Sequence, residues 1–548
     1  LSNIATIDRR SSSRFARTIA VQIGHENLSL STINIGLSGA LVGINQNLPL
    51  NKKVFLKLTL PGQNIPLTTY GRVAWSEKTD EGSQFKFRTG FEFLTLSGFD
   101  YKRLQKFIED SIDETGRDEV HINSDNYTMI DFSAYSGEPL SKRSKYFYSY
   151  VSDMMRRGFY NYRRPLVSPC SNRVIVRDDL TGKDREMIMM GSNSYLGLSY
   201  HPKVVKAVGE AIEKYGTGAA SAPLLAGTFE LHKQLEKKIA ELKSCEEAVV
   251  FPTGYSTNVG VISTLLGNKD FALLDRLCHA SIIDGCNMSK VNLKTFRHSD
   301  IGHLEGLLKY HKDKYPSPLI MIEGIYSMDG DIAPLPEIYE VAKKYNARIM
   351  IDDAHATGVI GKKGRGTVSH FNMEGKIDII MGTLSKAIGH LGGFIASDRE
   401  MINYLRHYSR SYFFSTSLPP VVIASCLASL EVMEEEPELN HKLWENIKYF
   451  KEGLTELGFR LAPNTESAIV PIIIGEEITL RRMSRRLHEE GIYINPVPYP
   501  AVPRNKTRFR ATIMATHTRE DLDQTLNALE KVGKEFNVIG KARASFTS

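Results

Sequence analysis

RIMIDDAHATG (348–358) and IDIIMGTLSKAIGHLGGF (377–394) decide the fold class. Each opens on a short apolar run of the kind that forms a strand buried on both faces. Polar residues follow at once: Asp352, Asp353 and His355 after the first run, Thr383, Ser385 and Lys386 after the second. In open sheets covered by helices, ligands bind outside the carboxyl ends of the strands. An acid and a lysine at neighbouring strand ends suit a pyridoxal phosphate site. The lysine can form a Schiff base, and the carboxylate can keep the pyridine nitrogen protonated. Neither residue says this alone, because a lone loop lysine is usually solvated and an aspartate after a strand is often a helix cap.

Outward from these two runs, AVVFP (248–252), FALLD (271–275) and LIMIEG (319–324) alternate with helix-like segments at Glu230–Lys243, Leu335–Tyr345 and Arg399–Tyr408. That alternation predicts an α/β domain with a mostly parallel sheet. Its large subdomain is expected over about 186–420, with a smaller α+β subdomain over about 421–548. Residues 15–95 differ: short alternating runs separated by turn signals predict a small antiparallel β-barrel, closed by a helix over 100–110. Three units follow: a barrel over 1–110, a polar linker over 111–140 and the α/β domain over 141–548.

The 548 residues carry a formal charge of +6, with 42% hydrophobic and 24% charged residues, which excludes a disordered, collagen-like or disulfide-framework chain. Residues 1–110 hold seven Lys and seven Arg against four Asp and five Glu, so nearly all the excess charge sits there. A polyanionic partner is expected for that part alone, with no nucleic acid for the rest. Five cysteines without CxxC or Cys/His spacing predict a protein of a reduced, cytoplasmic compartment without a metal. No signal-peptide pattern opens the chain at Leu1, and the long uncharged stretch Ser411 to Leu430 is too polar to span a bilayer. SKRSKYFYSYVSDMMRRGFYNYRR (141–164) is basic and aromatic; it is expected to be a docking helix, with membrane contact at most peripheral.

Nine ordered motifs carry a resemblance: GSNSYLGLSYHP (191–202), YGTG (215–218), FPTGYSTNVG (251–260), DRLCHASIIDG (275–285), EGIYSMDGDIAPLPEI (323–338), IDDAHATGVIG (351–361), IMGTLSKAIGHLGGF (380–394), FFSTSLPP (413–420), and INPVPYPAVP with RFRATIMATHT (494–518). Residues 141–548 resemble the α-oxoamine synthases, fold-type I pyridoxal phosphate enzymes, and most of all their bacterial serine palmitoyltransferase branch. The resemblance implies Lys386 as the Schiff-base lysine and proton shuttle. It puts Asp352 on the pyridine nitrogen, His355 on the ring's phenolic oxygen with Ser327 in support, and His279 stacked on the ring. Gly254, Tyr255 and Thr383 would hold the phosphate, with Thr416 reaching it from the second subunit of a homodimer. Asn193 and Arg510 would orient the amino acid's carboxylate. Asp353 is expected to be structural.

The implied reaction joins an amino acid to an acyl thioester, on coenzyme A or an acyl carrier protein, with loss of carbon dioxide. One departure bears on the acyl donor. The family commonly has Gly-Ser-Arg after YGTG, where this chain has Ser221, Ala222 and Pro223. Two other readings are an aminotransferase of the same fold, against which Asn193, His279 and the MATHT segment speak, and a non-enzymatic signalling adaptor, against which the four catalytic-type residues together speak.

At the other end, Arg10 and Arg14 fit RxxxR, and Asn34 and Gly39 fit [DN]xSxxG, followed by GRVAWSE (71–77) and TGFEFL (89–94). This is similar to the PilZ domain, a cyclic di-GMP receptor barrel. The resemblance implies a ligand site of Arg9, Arg10, Arg14, Asn34, Gly36 and Gly39, with Gly36 standing where the motif usually has serine. Arginine suits such a ligand because it bonds guanine edges bidentately, stacks on bases and pairs with phosphate.

Overall fold

The computed structural model describes residues 19–23, 30–36, 39–60, 63, 65–79, 85–114, 122–133, 137–178, 182–315 and 317–540, without the side chains of 30–34, 36 and 108–114. They form two compact units divided between Tyr160 and Asn161.

In the first unit, β1 (Ala20–Ile23), β2 (Leu30–Gly36), β3 (Gly39–Ile44), β4 (Lys53–Thr59), β5 (Leu67–Lys78) and β6 (Phe87–Phe93) close into an antiparallel barrel in the order β1-β2-β3-β6-β5-β4. The period-2 alternation works as expected: along β4, Leu56 and Leu58 are buried while Phe55 and Thr59 face out. Val21, Ile35, Val42, Val73 and Phe91 fill the barrel, and the helix Gly98–Glu114 adds Leu104 and Phe107 to the same core. Gly39 lies opposite Gly36, and a Cβ on Gly39 would come within 2.1 Å of the Phe91 carbonyl oxygen. The barrel's own packing therefore requires this glycine. Arg9, Arg10 and Arg14 lie outside the described residues, and of Asn34 and Gly36 only the backbone is described.

The expected linker is partly folded. Ser124–Asn126 and Met129–Phe132 form short 3-10 turns that pack on a helix, Leu140–Arg156. The Phe132 ring sits 5.0 Å from Tyr150 and 5.6 Å from Phe147. Arg157 pairs with Asp125 at 2.6 Å. The aromatic helix thus docks on the segment before it, because that is where its rings find apolar partners. The break between units falls after Tyr160, beyond the boundary expected at 141.

The second unit opens with β7 (Arg173–Arg177) and β8 (Asp184–Met189). Its main sheet holds β9 (Glu247–Phe251), β10 (Phe271–Asp275), β11 (Asn292–Phe296), β12 (Leu319–Glu323), β13 (Arg348–Asp352), β14 (Ile379–Thr383) and β15 (Gly393–Ser397), in the order β11-β10-β12-β13-β14-β15-β9. Neighbours from β11 to β14 are parallel, while β15 runs antiparallel to both β14 and β9. β10, β12 and β14 are buried along their whole length, which is why they read as unbroken apolar runs.

The smaller lobe carries β16 (Arg460–Leu461), β17 (Ile469–Ile473), β18 (Ile492–Tyr493), β19 (Asn495–Val497) and β20 (Arg508–Thr512). Four of them make the antiparallel sheet β16-β17-β20-β19. β18 instead pairs in parallel with β8, Ile492 opposite Ile188, in the three-stranded sheet β18-β8-β7. Asn172 and Arg173 both reach Asp521, at 2.8 and 2.7 Å. The opening strands of this unit therefore complete the C-terminal lobe. The helix Pro420–Glu435 packs on Pro202–Tyr215 and Glu230–Lys243 in the large lobe. Its apolar residues lie all round, as in a helix enclosed by neighbours. Among the described residues no helix is long and apolar enough to cross a membrane.

Candidate active site

Asp352 ends β13 and is 5% exposed. One carboxylate oxygen accepts from Asn258 Nδ2 at 2.7 Å and the other from the Ala354 N–H at 3.0 Å. Asn258 also donates to Ser281 Oγ at 2.9 Å, and Ser281 Oγ lies 2.8 Å from His279 Nδ1. His279 caps the helix Ala280–Ser289, with Nδ1 accepting from the Ser281 N–H. Capping thus fixes the histidine while the residue stays exposed. Burial and then Lys386 lower its pKa, against the pull of Asp352.

Lys386 follows β14 and is half-buried. Burial, helped by Arg510, lowers its pKa to about 8 despite Asp352 and Glu323. Lowering the pKa toward physiological pH enlarges the share of neutral amine that a Schiff-base nucleophile needs. His355 is buried, and burial, then Lys386 and Arg510, hold its pKa well below the usual histidine range. Its Nδ1 lies 2.6 Å from the Tyr195 hydroxyl, whose own pKa burial raises. Asn193, Arg510 and Ser327 close the cluster. Arg510 donates from Nη1 to Asn193 Oδ1 at 3.0 Å and from Nε to the Ser327 carbonyl at 2.7 Å.

The helix Gly254–Leu265 starts beside Thr383, and a Cβ on Gly254 would come within 3.0 Å of Thr383 Oγ1. The Thr253 cap uses the Ser256 N–H, whereas the Gly254 and Tyr255 N–H groups have no carbonyl a turn back. That is the setting in which a helix start binds phosphate. The Tyr255 side chain turns away, its hydroxyl donating to Asp284. Thr416 is exposed, and no described contact joins it to the cluster.

Asp353 is structural, as expected. Fully buried, it pairs with Lys243 at 2.7 Å, and Lys243 also donates to Thr357 Oγ1 and the Arg365 carbonyl. Three site residues escaped the sequence reading. Asn258 lies one helical turn after Gly254. Tyr195 lies in the same motif as Asn193. Glu323 ends β12 directly opposite Asp352. Burial, then Asp352, raise the Glu323 pKa to about 8, and its Oε1 is buried without a partner. An acid at the end of an apolar run was the available signal, the same one that marked Asp352.

These residues fit pyridoxal phosphate. A glycine leaves room at a helix start, a paired carboxylate lies at one strand end, and an amine of lowered pKa lies at the next. The family model for aminotransferases of class I and II matches residues 185–529, and that for the PilZ domain matches residues 8–110. The 8-amino-7-oxononanoate synthase of Thermoanaerobacter pseudethanolicus is 46% identical over 389 residues, 71% of this chain and 97% of that protein. The 4-hydroxy-2,2'-bipyrrole-5-methanol synthase PigH of a Serratia species is 40% identical over 420 residues, 77% of this chain and 64% of that protein. Among solved structures, serine palmitoyltransferase from S. paucimobilis has a TM-score of 0.70 at 32% identity, covering 73% of this chain and 100% of that one. The chain belongs to the pyridoxal phosphate-dependent transferases of the aminotransferase class I and II family. Within them it is an α-oxoamine synthase, an acyltransferase joining an amino acid to an acyl thioester, and it carries an N-terminal PilZ domain.

Proposed function

We propose that this enzyme condenses a small α-amino acid with an acyl thioester, with loss of carbon dioxide, to give an α-amino ketone, under the influence of cyclic di-GMP. The carrying observation is the placement of Lys386 amid Asp352, Glu323 and Arg510, beside the Arg510–Asn193 contact. Arg510 and Asn193 bind the amino acid's carboxylate through charge-assisted hydrogen bonds. His279 would stack on the cofactor ring. Asp352 would pair with the pyridine nitrogen and His355 with the ring's phenolic oxygen, with Ser327 in support. Gly254, Tyr255 and Thr383 would hold the phosphate. When bound, pyridoxal phosphate supplies the electron sink for a carbanion at the α-carbon. Lys386 removes the α-proton, the α-carbon bonds to the thioester carbonyl carbon, and the C–S bond breaks to release the thiol. The former carboxylate leaves as carbon dioxide, and a proton returns to the same carbon.

The working form is a homodimer in which Thr416 completes the partner's phosphate site. Its exposure here supports this, as do the exposed Phe413 and Phe414 beside it. Pro223, which stands where the family carries arginine, opens a five-residue π-helical turn, Pro223–Gly227, that exposes Leu225. That surface favours an acyl donor recognised by apolar contact. Holoenzyme given carboxyl-labelled glycine, L-alanine or L-serine should release labelled carbon dioxide only when an acyl thioester is present. Amino-group transfer to an oxo acid without that release defeats the proposal. Comparing short and long acyl groups, on coenzyme A and on carrier protein, assigns the donor; turnover with short groups alone removes a lipid product.

The PilZ match and the RxxxR sequence at Arg10 and Arg14 support cyclic di-GMP as the ligand of the first unit. Calorimetry of the full chain should show binding to the dinucleotide that Arg14→Ala weakens by about tenfold or more, the scale of one lost charge-assisted contact. No heat from either protein removes this part of the proposal. Thioester turnover measured with and without the dinucleotide then tests direct control, which an unchanged rate rules out.

A further inference from the structure

Arg510 can present its guanidinium to a carboxylate only if the backbone that holds it is itself fixed. That backbone is the turn Tyr326–Asp331 after β12, closed by Tyr326 N–H to Asp331 O at 3.0 Å and Gly330 N–H to Tyr326 O at 2.8 Å. From the small lobe, Arg510 grips the Ser327 carbonyl, while Arg508 grips the Met328 carbonyl at 2.9 Å and Asp329 at 2.7 Å. From the large lobe the turn is held by a histidine that the reaction does not use. His298 follows β11. Its Nε2 lies 2.9 Å from Asp331 Oδ2, and its Nδ1 lies 3.1 and 3.2 Å from the two oxygens of Asp275, the last residue of β10.

Asp275 is itself fixed, since it also accepts the N–H groups of Leu277 and Ser299. The Tyr326 ring stands edge-on to the imidazole, 4.4 Å away at 85°. Burial would lower the pKa of His298, but hydrogen bonds to both carboxylates outweigh it and raise the value to about 9. The ring is therefore a cation donating from both nitrogens at neutral pH.

We propose that His298 is a positioning residue for amino-acid binding: by joining Asp331 to Asp275 it fixes the turn whose Ser327 carbonyl aims Arg510. The inference rests on the reading above that Arg510 takes the substrate carboxylate. Without His298, two carboxylates face each other across a buried gap, and Asp331 moves away. The turn follows, and Arg510 loses the acceptor that orients Nε. Lys386, Asp352 and His355 lie on other strand ends and keep their places.

The test titrates full-length holoenzyme with L-alanine and L-serine, following the cofactor's visible absorbance, and repeats the titration with ethylamine, which has no carboxylate. In His298→Gln the Kd for the amino acids should rise by about tenfold or more, the scale of one misplaced charge-assisted hydrogen bond. The Kd for ethylamine should stay within about twofold. Asp331→Asn keeps an acceptor for Nε2 and removes one charge, so it should show the same selective loss, smaller in size; it decides the matter should His298→Gln fail to fold. Unchanged amino-acid affinity in both variants overturns the inference, and so does an equal loss for amine and amino acids. If the wild-type protein binds ethylamine as tightly as alanine, the assignment of Arg510 falls, and the inference with it.

Discussion

Lys386→Ala is expected to lower thioester-dependent carbon dioxide release by roughly a thousandfold or more, the combined scale of losing a nucleophile and a general base. The visible absorbance of the lysine-bound cofactor should vanish with it. The buried lysine Lys243 cannot substitute. Lys243 is committed to Asp353, Thr357 and the Arg365 carbonyl. Added methylamine should restore part of the rate by supplying the missing base. Folding should survive, because a half-buried lysine held by electrostatics more than by packing leaves little void when truncated. A variant within tenfold of wild type would mean that another group carries the α-proton.

The largest stability effect is expected at the neighbouring acid. Lys243 and Asp353 are 1% and 0% exposed, and their contact ties the end of the helix Glu230–Lys243 to the turn after β13. Lys243→Met leaves a buried carboxylate without its cation, a change of the kind that costs about 3–5 kcal/mol. Denaturant unfolding should show that loss. Asp353 also accepts the Thr367 N–H, so a second change, Asp353→Asn, should recover part of the stability by keeping an acceptor while removing the charge. The protein that remains folded should turn over within a few-fold of wild type, since neither side chain touches the Asp352–Lys386 cluster. A loss below about 1 kcal/mol would contradict the assignment of this pair as a structural lock.

Legibility in the sequence followed the range of the interactions. The parallel strands announce themselves because burial on both faces forbids polar residues, so their ends stand out as places where Asp352 and Lys386 begin. The barrel announces itself through alternation, which is local by nature. His279 was legible through its motif, although its capping bond to Ser281 is a plain local cause for a histidine there. What escaped was assembled across the chain. Asn258 reaches Asp352 over 94 positions and Tyr195 reaches His355 over 160, and nothing in the spacing marks either as a partner. Glu323 shows the same limit from the other side. Its position at a strand end was plain, but only the register opposite Asp352 makes it a second acid in the site. The compact unit ends after Tyr160 because the aromatic helix covers its rings on the segment before it, and composition does not say which surface covers them.

The pairing of β8 with β18 also sets a schedule. Ile188 is made well before its partner Ile492, so a ribosome adding roughly 5–20 residues per second leaves the open edge of β8 waiting for about 15–60 s. During that interval the edge is a template for stray strands. β7 covers one side, and the charged start of β8, Asp184-Arg185-Glu186, discourages pairing on the other. The lobe that presents Arg510 can close only after Ile492 has been made, so cofactor loaded earlier would meet the lysine half of its site without the arginine half.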